Sequence, residues 1–240
     1  MIYSEGPHFQ VIPASVNYEE IVFRNNLRQV STLQRAVHLA GAVARILLAP
    51  APSGNMAVGT GFLIDQDVLL TNHHVLPNGE AAMGARVQFN YQKDLANNLQ
   101  TIDEYHCEPD SLFFTDPALD FTIVKLQNKP GAKWGFIGIP NEININVGED
   151  VFIIQHPRGR EKMVSLSENT VTSILNNKVQ YMTDTLGGSS GSPVFNDRWE
   201  LVALHHAAIS DGSGKVINEG IAIGEIKKRL LSLMRLAPIN

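Results

Sequence analysis

Three short segments carry side chains able to do chemistry together, and they occur in the chain order His, Asp, Ser. Thr71-Asn72-His73-His74-Val75 follows a strand-like run, Asp120 opens the apolar run 120–126, and Gly187-Gly188-Ser189-Ser190-Gly191-Ser192-Pro193 precedes another. A serine hydroxyl is a weak nucleophile at neutral pH and needs a base within hydrogen-bond reach. A histidine can take that proton and later deliver it to a leaving amine. A carboxylate on the far ring nitrogen holds the tautomer and stabilises the imidazolium. Taken alone, a serine in a Gly-Ser run is more often only a turn. His73 and His74 are adjacent, so in an extended segment they point opposite ways and only one can face a shared site. Asp116 competes with Asp120, but Asp116-Pro117 has the form of a turn start.

These segments need strands to hold them. Runs at 43–48, 57–64, 68–71, 86–89, 105–108, 121–126, 151–155, 164–171, 178–183, 193–195, 201–205 and 219–223 have strand character. Turn clusters separate them, among them Asp65-Gln66-Asp67, Pro77-Asn78-Gly79, Lys129-Pro130-Gly131, 49–55 and 211–214. Many short strands with few long helices predict an all-β barrel or sandwich. Residues 1–26 show no clear period. Ser31 and Gln34 form a candidate capping box, and Leu27, Val30, Leu33, Val37 and Ala40 recur at helical spacing up to Gly41. That amphipathic stripe is expected to dock on the body of the protein outside any cleft. Helical spacing returns from Gly224 to Leu236 through Ile226, Leu230, Leu233 and Met234.

Together the three motifs resemble the chymotrypsin-like serine proteases, above all the bacterial glutamyl-endopeptidase and trypsin-like branch, over roughly residues 43–236. The resemblance implies two six-stranded antiparallel β-barrels (43–135 and 136–240) after an N-terminal helical extension (1–42), with a C-terminal helix on the second. It selects His74 over His73 and implies His74, Asp120 and Ser190 as the triad, shared across the cleft. It places an oxyanion hole at the backbone N–H groups of Gly188 and Ser190, where one donor is worth on the order of 3 kcal/mol. An α/β-hydrolase would show G-x-S-x-G and the order Ser, Asp, His. Position 192 is Ser and the order is reversed, so that reading fails.

For substrate preference the resemblance gives two opposed signals. Asp184, six residues before Ser190, falls where trypsin-like members bind Arg or Lys at the base of the S1 pocket. Thr185 and His205 match residues that receive a substrate carboxylate in glutamyl endopeptidases. A carboxylate in a partly desolvated pocket repels a P1 Glu, because charges interact more strongly at low dielectric. The expectation is a basic P1. An Asp184–His205 ion pair, or an Asp184 bonded to backbone outside the pocket, would undo it. Two departures stand against full carry-over. Ser189 replaces the aspartate of zymogen-type members, and Ala207-Ala208 replace glycines at the pocket entrance.

The chain has 240 residues, 44% hydrophobic and 18% charged, enough for one large or two small cores. Its formal net charge of -5 suggests no nucleic-acid or anionic-membrane partner. The one cysteine, Cys107, rules out an internal disulfide, and no signal-peptide pattern opens the sequence. The expectation is a cytoplasmic serine endopeptidase without cofactor or metal, acting on a protein or peptide substrate. The resemblance extends to trypsin-like domains coupled to bacterial stress or defence systems, with the N-terminal extension as a site for a regulatory partner. The alternative is a peptide-binding or scaffolding module that keeps the fold without turnover.

Overall fold

The computed structural model describes residues 28–49, 57–210, 214 and 216–236, so residues 1–26 and much of the turns at 49–55 and 211–214 lie outside the described residues. The first group of strands is β1 (Val43–Leu47), β2 (Val58–Leu63), β3 (Val68–Thr71), β4 (Arg86–Phe89), β5 (Asp103–His106), β6 (Phe113–Asp116) and β7 (Phe121–Lys125). The second is β8 (Phe152–Gln155), β9 (Met163–Ser165), β10 (Val171–Leu175), β11 (Lys178–Tyr181), β12 (Pro193–Phe195), β13 (Leu201–Ser210) and β14 (Val216–Ala222). Each group forms one antiparallel sheet of seven strands, ordered β5-β4-β1-β2-β3-β7-β6 and β10-β11-β14-β13-β12-β8-β9.

Both sheets curl until their ends meet. In the first, a bridge between Cys107 and Leu126 joins the end of β5 to the end of β7. It is flanked by Glu108 N–H donating to Lys125 O at 2.7 Å and Gln127 N–H to His106 O at 3.0 Å. In the second, an Asp150–Thr170 bridge joins the start of β8 to that of β10. Each ring therefore closes through six strands, and β6 and β9 are appended to β7 and β8. Closure removes the exposed edges of those six strands. The expected two six-stranded barrels thus gain one strand each. The sequence reading missed β6 and ran β9 and β10 together as 164–171.

Alternation on β8 shows how the cores are filled. Ile153 points into a cluster with Val171, Val179, Tyr181, Val194 and Val202 inside the second barrel. Its neighbours Phe152 and Ile154 point the other way, into a cluster with Phe62, Leu70, Phe121, Phe195 and Trp199 that spans both barrels. Each such buried side chain stabilises the fold by about 1.5–3 kcal/mol. The barrels are therefore joined by core, not only by a linker.

Among the described residues four α-helices decorate the barrels: α1 (Ser31–Gly41), α2 (Gly79–Met83), α3 (Gly131–Trp134) and α4 (Ile223–Leu236). The expected capping box is not formed. Val30 is the N-cap, no side chain caps the helix, and Ser31 is already helical. The α1 helix docks on the body through Ala36, Leu39 and Ala40. Val30, Leu33 and Val37 of the predicted stripe stay exposed, because the buried face lies to one side of it. Helix α4 buries Ile226 and packs Leu230 on the core, as its spacing predicted.

Candidate active site

Strand β3 ends at Thr71, and the chain turns at once. Asn72 O accepts the amides of Val75 and Leu76, at 3.2 and 3.1 Å. The buried Asn72 side chain donates Nδ2–H to Asp120 O at 2.9 Å, which ties this turn to the start of β7. The turn sends the two histidines apart. His73 Nδ1 meets the Thr115 hydroxyl at 2.7 Å, on the β6 side. His74 faces Asp120, with Nδ1 2.8 Å from Oδ2 and its own amide donating to Oδ1 at 3.0 Å. Asp120 sits at φ 43°, a left-handed conformation that non-glycine residues adopt at some cost and that is enriched at functional sites. Burial works to raise the Asp120 carboxyl, but hydrogen bonds from His206 and His74 outweigh it and hold the group below the usual carboxylate range. Asp116 does other work. Its Oδ1 accepts the amides of Ala118 and Leu119, and Oδ2 takes Arg229 Nε at 2.7 Å.

The turn bearing Ser190 rests on the first barrel through Thr60 of β2. Thr60 N–H donates to Ser190 O at 2.8 Å, and its hydroxyl donates to Gly188 O at 2.8 Å. The same hydroxyl accepts the His156 amide at 3.1 Å. Gly191 has φ +88°, and a Cβ there would stand 2.0 Å from Thr60 O and 2.4 Å from Thr71 Oγ1. Only glycine allows this approach, which brings the Ser190 turn against the end of β3, just before His74. Gly188 has φ +94°, a conformation that favours glycine, and a Cβ there would meet backbone at 3.0 Å. Among the described residues no hydrogen bond joins Ser190 Oγ to His74, and none is donated by the amides of Gly188 or Ser190. Catalytic contacts of this kind commonly tighten only when substrate binds.

The residues expected to contact substrate are spread over two environments. Asp184 and Glu168 are exposed, and both line a cavity of about 320 Å³ with Thr185, Ala208 and Asn218. Asp184 is therefore solvated, not partly desolvated as expected, because the chain at 182–187 runs along the surface. Thr185 donates its hydroxyl to Asn218 Oδ1 at 2.6 Å. His205 is fully buried and pairs with the Tyr181 hydroxyl at 2.8 Å. Burial pushes its imidazole down to about 3, so the ring is neutral. Among the described residues no Asp184–His205 ion pair forms.

Sequence reasoning missed Thr60, His206 and Glu219. His206 stands beside His205 on β13, and its direction comes from a bulge there rather than from alternation along the strand. Thr60 and Glu219 are distant in sequence from every motif and left no signal.

Two closed antiparallel barrels, with an Asp–His pair on one and a Gly-Ser-Ser-Gly turn pressed against it from the other, define the chymotrypsin-like double-barrel fold. Residues 59–204 match the trypsin-like peptidase domain, and the chain belongs to that family. It is 35% identical over 211 residues to the uncharacterized protein y4fB of Sinorhizobium fredii, covering 81% of this chain and 32% of that protein. It is 25% identical over 219 residues to a glutamyl endopeptidase of Staphylococcus aureus, covering 85% of this chain and 63% of the relative. The chain thus spans about a third of the first relative and just under two thirds of the second. The active form of the Rv3671c protease from M. tuberculosis superposes with a TM-score of 0.60 at 17% identity, covering 82% of each chain. Deg5 superposes with a TM-score of 0.60 at 16% identity, over 82% of this chain and 92% of its own.

Proposed function

We propose that this chain is a serine endopeptidase in which Ser190 attacks the peptide carbonyl, His74 moves the proton and Asp120 holds His74. The observation that carries this is the two-point grip of Asp120 on His74, at 2.8 Å to Nδ1 and 3.0 Å to the amide. With Nδ1–H donated to Oδ2, Nε2 is left as the basic nitrogen that would take the Ser190 proton. The acyl-enzyme oxygen comes from Ser190. The Gly188 and Ser190 amides, not bonded elsewhere among the described residues, supply the oxyanion donors. No step calls for a metal or cofactor.

A basic P1 side chain fits best. The carboxylates of Asp184 and Glu168 share one cavity, whereas His205 is neutral and engaged with Tyr181. The Thr185 and Asn218 polar groups add neutral hydrogen-bonding capacity beside them. The lone cysteine, buried at Cys107, fits a reducing, cytoplasmic setting. Fluorophosphonate labelling tests the central claim: wild type is labelled and cleaves peptides, while Ser190→Ala folds and does neither. His73→Ala is expected to be mild and His74→Ala severe. Labelling that persists in Ser190→Ala would refute the assignment of the nucleophile.

A further inference from the structure

We propose that His206 is a positioning residue that holds Asp120 as an imidazolium, clamped from its other side by Glu219, so that its proton sets an alkaline limit on activity. The inference rests on the peptidase reading above. His206 Nδ1 lies 3.0 Å from Asp120 Oδ2, the same oxygen that His74 uses. His206 Nε2 lies 3.1 Å from Glu219 Oε1. Both acceptors are carboxylates, so both ring nitrogens must donate, and only the charged ring has two N–H groups.

A local irregularity of β13 sets this up. His205 pairs with Gly220 and Ala207 with Glu219, so His206 is the extra residue of a β-bulge. Bulges re-aim a side chain and are common beside active sites. Here the bulge lets His205 enter the barrel core while His206 reaches the carboxylate of the other barrel. Glu219 is 3% exposed, so its charge is met by bonded partners rather than by water. It also accepts Lys178 Nζ at 2.5 Å and Gln180 Nε2 at 2.8 Å. Burial acts to raise the Glu219 carboxyl, but bonds from Gln180, Lys178 and His206 leave it below its ordinary value.

The charged groups around His206 can be named element by element. Asp120 and His74 face it from the first barrel, Glu219 from β14, and Lys178 of β11 lies behind Glu219. His205, on its own strand, is neutral. On α4, Lys228 bonds Glu225, Arg229 bonds Asp116, and Lys227 bonds Pro140 O and Asn141. Among the described residues none of them bonds His206. The Asp120 bond is the chief influence that raises the His206 imidazole above its ordinary value; burial works against it, and Glu219 adds to the rise. The clamp is therefore complete below the ordinary histidine value of ~6.5 and is lost as pH rises through the raised one. A neutral ring can serve only one of the two carboxylates.

The test is the pH profile of kcat/KM on a peptide substrate, paired with histidine 15N NMR of the Ser190→Ala protein. The alkaline limb of wild type should coincide with the titration of a histidine whose two ring nitrogens are protonated at pH 7. Glu219→Gln should lower that limb by about one pH unit, tenfold in proton affinity. Lys178→Met removes a cation beside Glu219 and should move the limb upward. His206→Gln, a non-titrating donor, should retain part of the activity and lose the limb. A limb unmoved in Glu219→Gln and Lys178→Met, or a His206 ring neutral at pH 7, would overturn the inference alone. Absence of both hydrolysis and fluorophosphonate labelling in wild type would overturn the peptidase reading, and the inference with it.

Discussion

Replacing Asp120 by asparagine preserves the outline of the side chain and removes the charge on which two imidazoles depend. In Asp120→Asn the amide oxygen would still accept the His74 N–H, now 3.0 Å from Oδ1. The new NH₂ would then occupy the place of Oδ2, which today accepts His74 at 2.8 Å and His206 at 3.0 Å. An NH₂ facing His74 Nδ1 makes that nitrogen the acceptor and moves the ring proton to Nε2, where it blocks the base. Two charge-assisted bonds at about 1.5–3 kcal/mol each amount to about 3–6 kcal/mol of lost transition-state stabilisation. The tautomer change pushes the result to the upper end, a loss of about 10⁴ in kcat, the figure known for the triad family. The assay is steady-state hydrolysis, with circular dichroism confirming an unchanged fold. A variant keeping a tenth of wild-type kcat would refute the role of Asp120, and so would an equal loss in Asp116→Asn.

Gly191→Ala should destabilise the protein by about 3 kcal/mol, since its methyl meets backbone at 2.0 Å from a left-handed φ. An unchanged urea midpoint would contradict that. Burial holds the imidazoles of His156 and His205 down to about 3, below the ordinary ~6.5. Between those values the unfolded chain binds more protons, so stability falls on acidification by up to about 1.4 kcal/mol per pH unit for each histidine. Denaturation midpoints that stay flat from pH 7 to pH 4 would exclude this. Asp184→Ser should reduce cleavage after Arg and Lys by about tenfold or more while leaving fluorophosphonate reactivity intact, because one carboxylate of the cavity is lost. A peptide library cleaved mainly after Glu, and abolished by His205→Ala, would reverse the assignment of specificity.

The double-barrel fold was legible in this sequence, and so were the local patterns of segment 71–75, Asp120 and the glycines around Ser190; the exact strands were read unevenly. Strands β3 and β4 have the bounds read from their short runs. The strand β6 was missed because Asp116-Pro117 marks a turn at its end, and four residues give little periodicity. Strands β9 and β10 were merged because Val164, Leu166 and Val171 suggest one apolar run across an intervening loop. The state of His205 and Asp184 depends on burial, which no spacing encodes. His206–Glu219 depends on a bulge, a register event between strands that a one-dimensional pattern cannot show.

The dependence of the Ser190 turn on Thr60 has a consequence for how the protein comes into being on the ribosome. His74 and Asp120 have both emerged once β7 is made, although the core behind them is shared with strands of the second barrel. The second grip on Asp120 comes from His206, 86 positions later in the chain. The Ser190 turn takes its shape from a strand made long before it. Thr60 holds Gly188 from 128 positions upstream, and its carbonyl forms the close seat of Gly191. A nascent chain therefore holds His74 and Asp120 before the turn that bears Ser190 exists. Neither half made alone holds His74, Asp120 and Ser190 together, and the three meet only when the second barrel closes on the first.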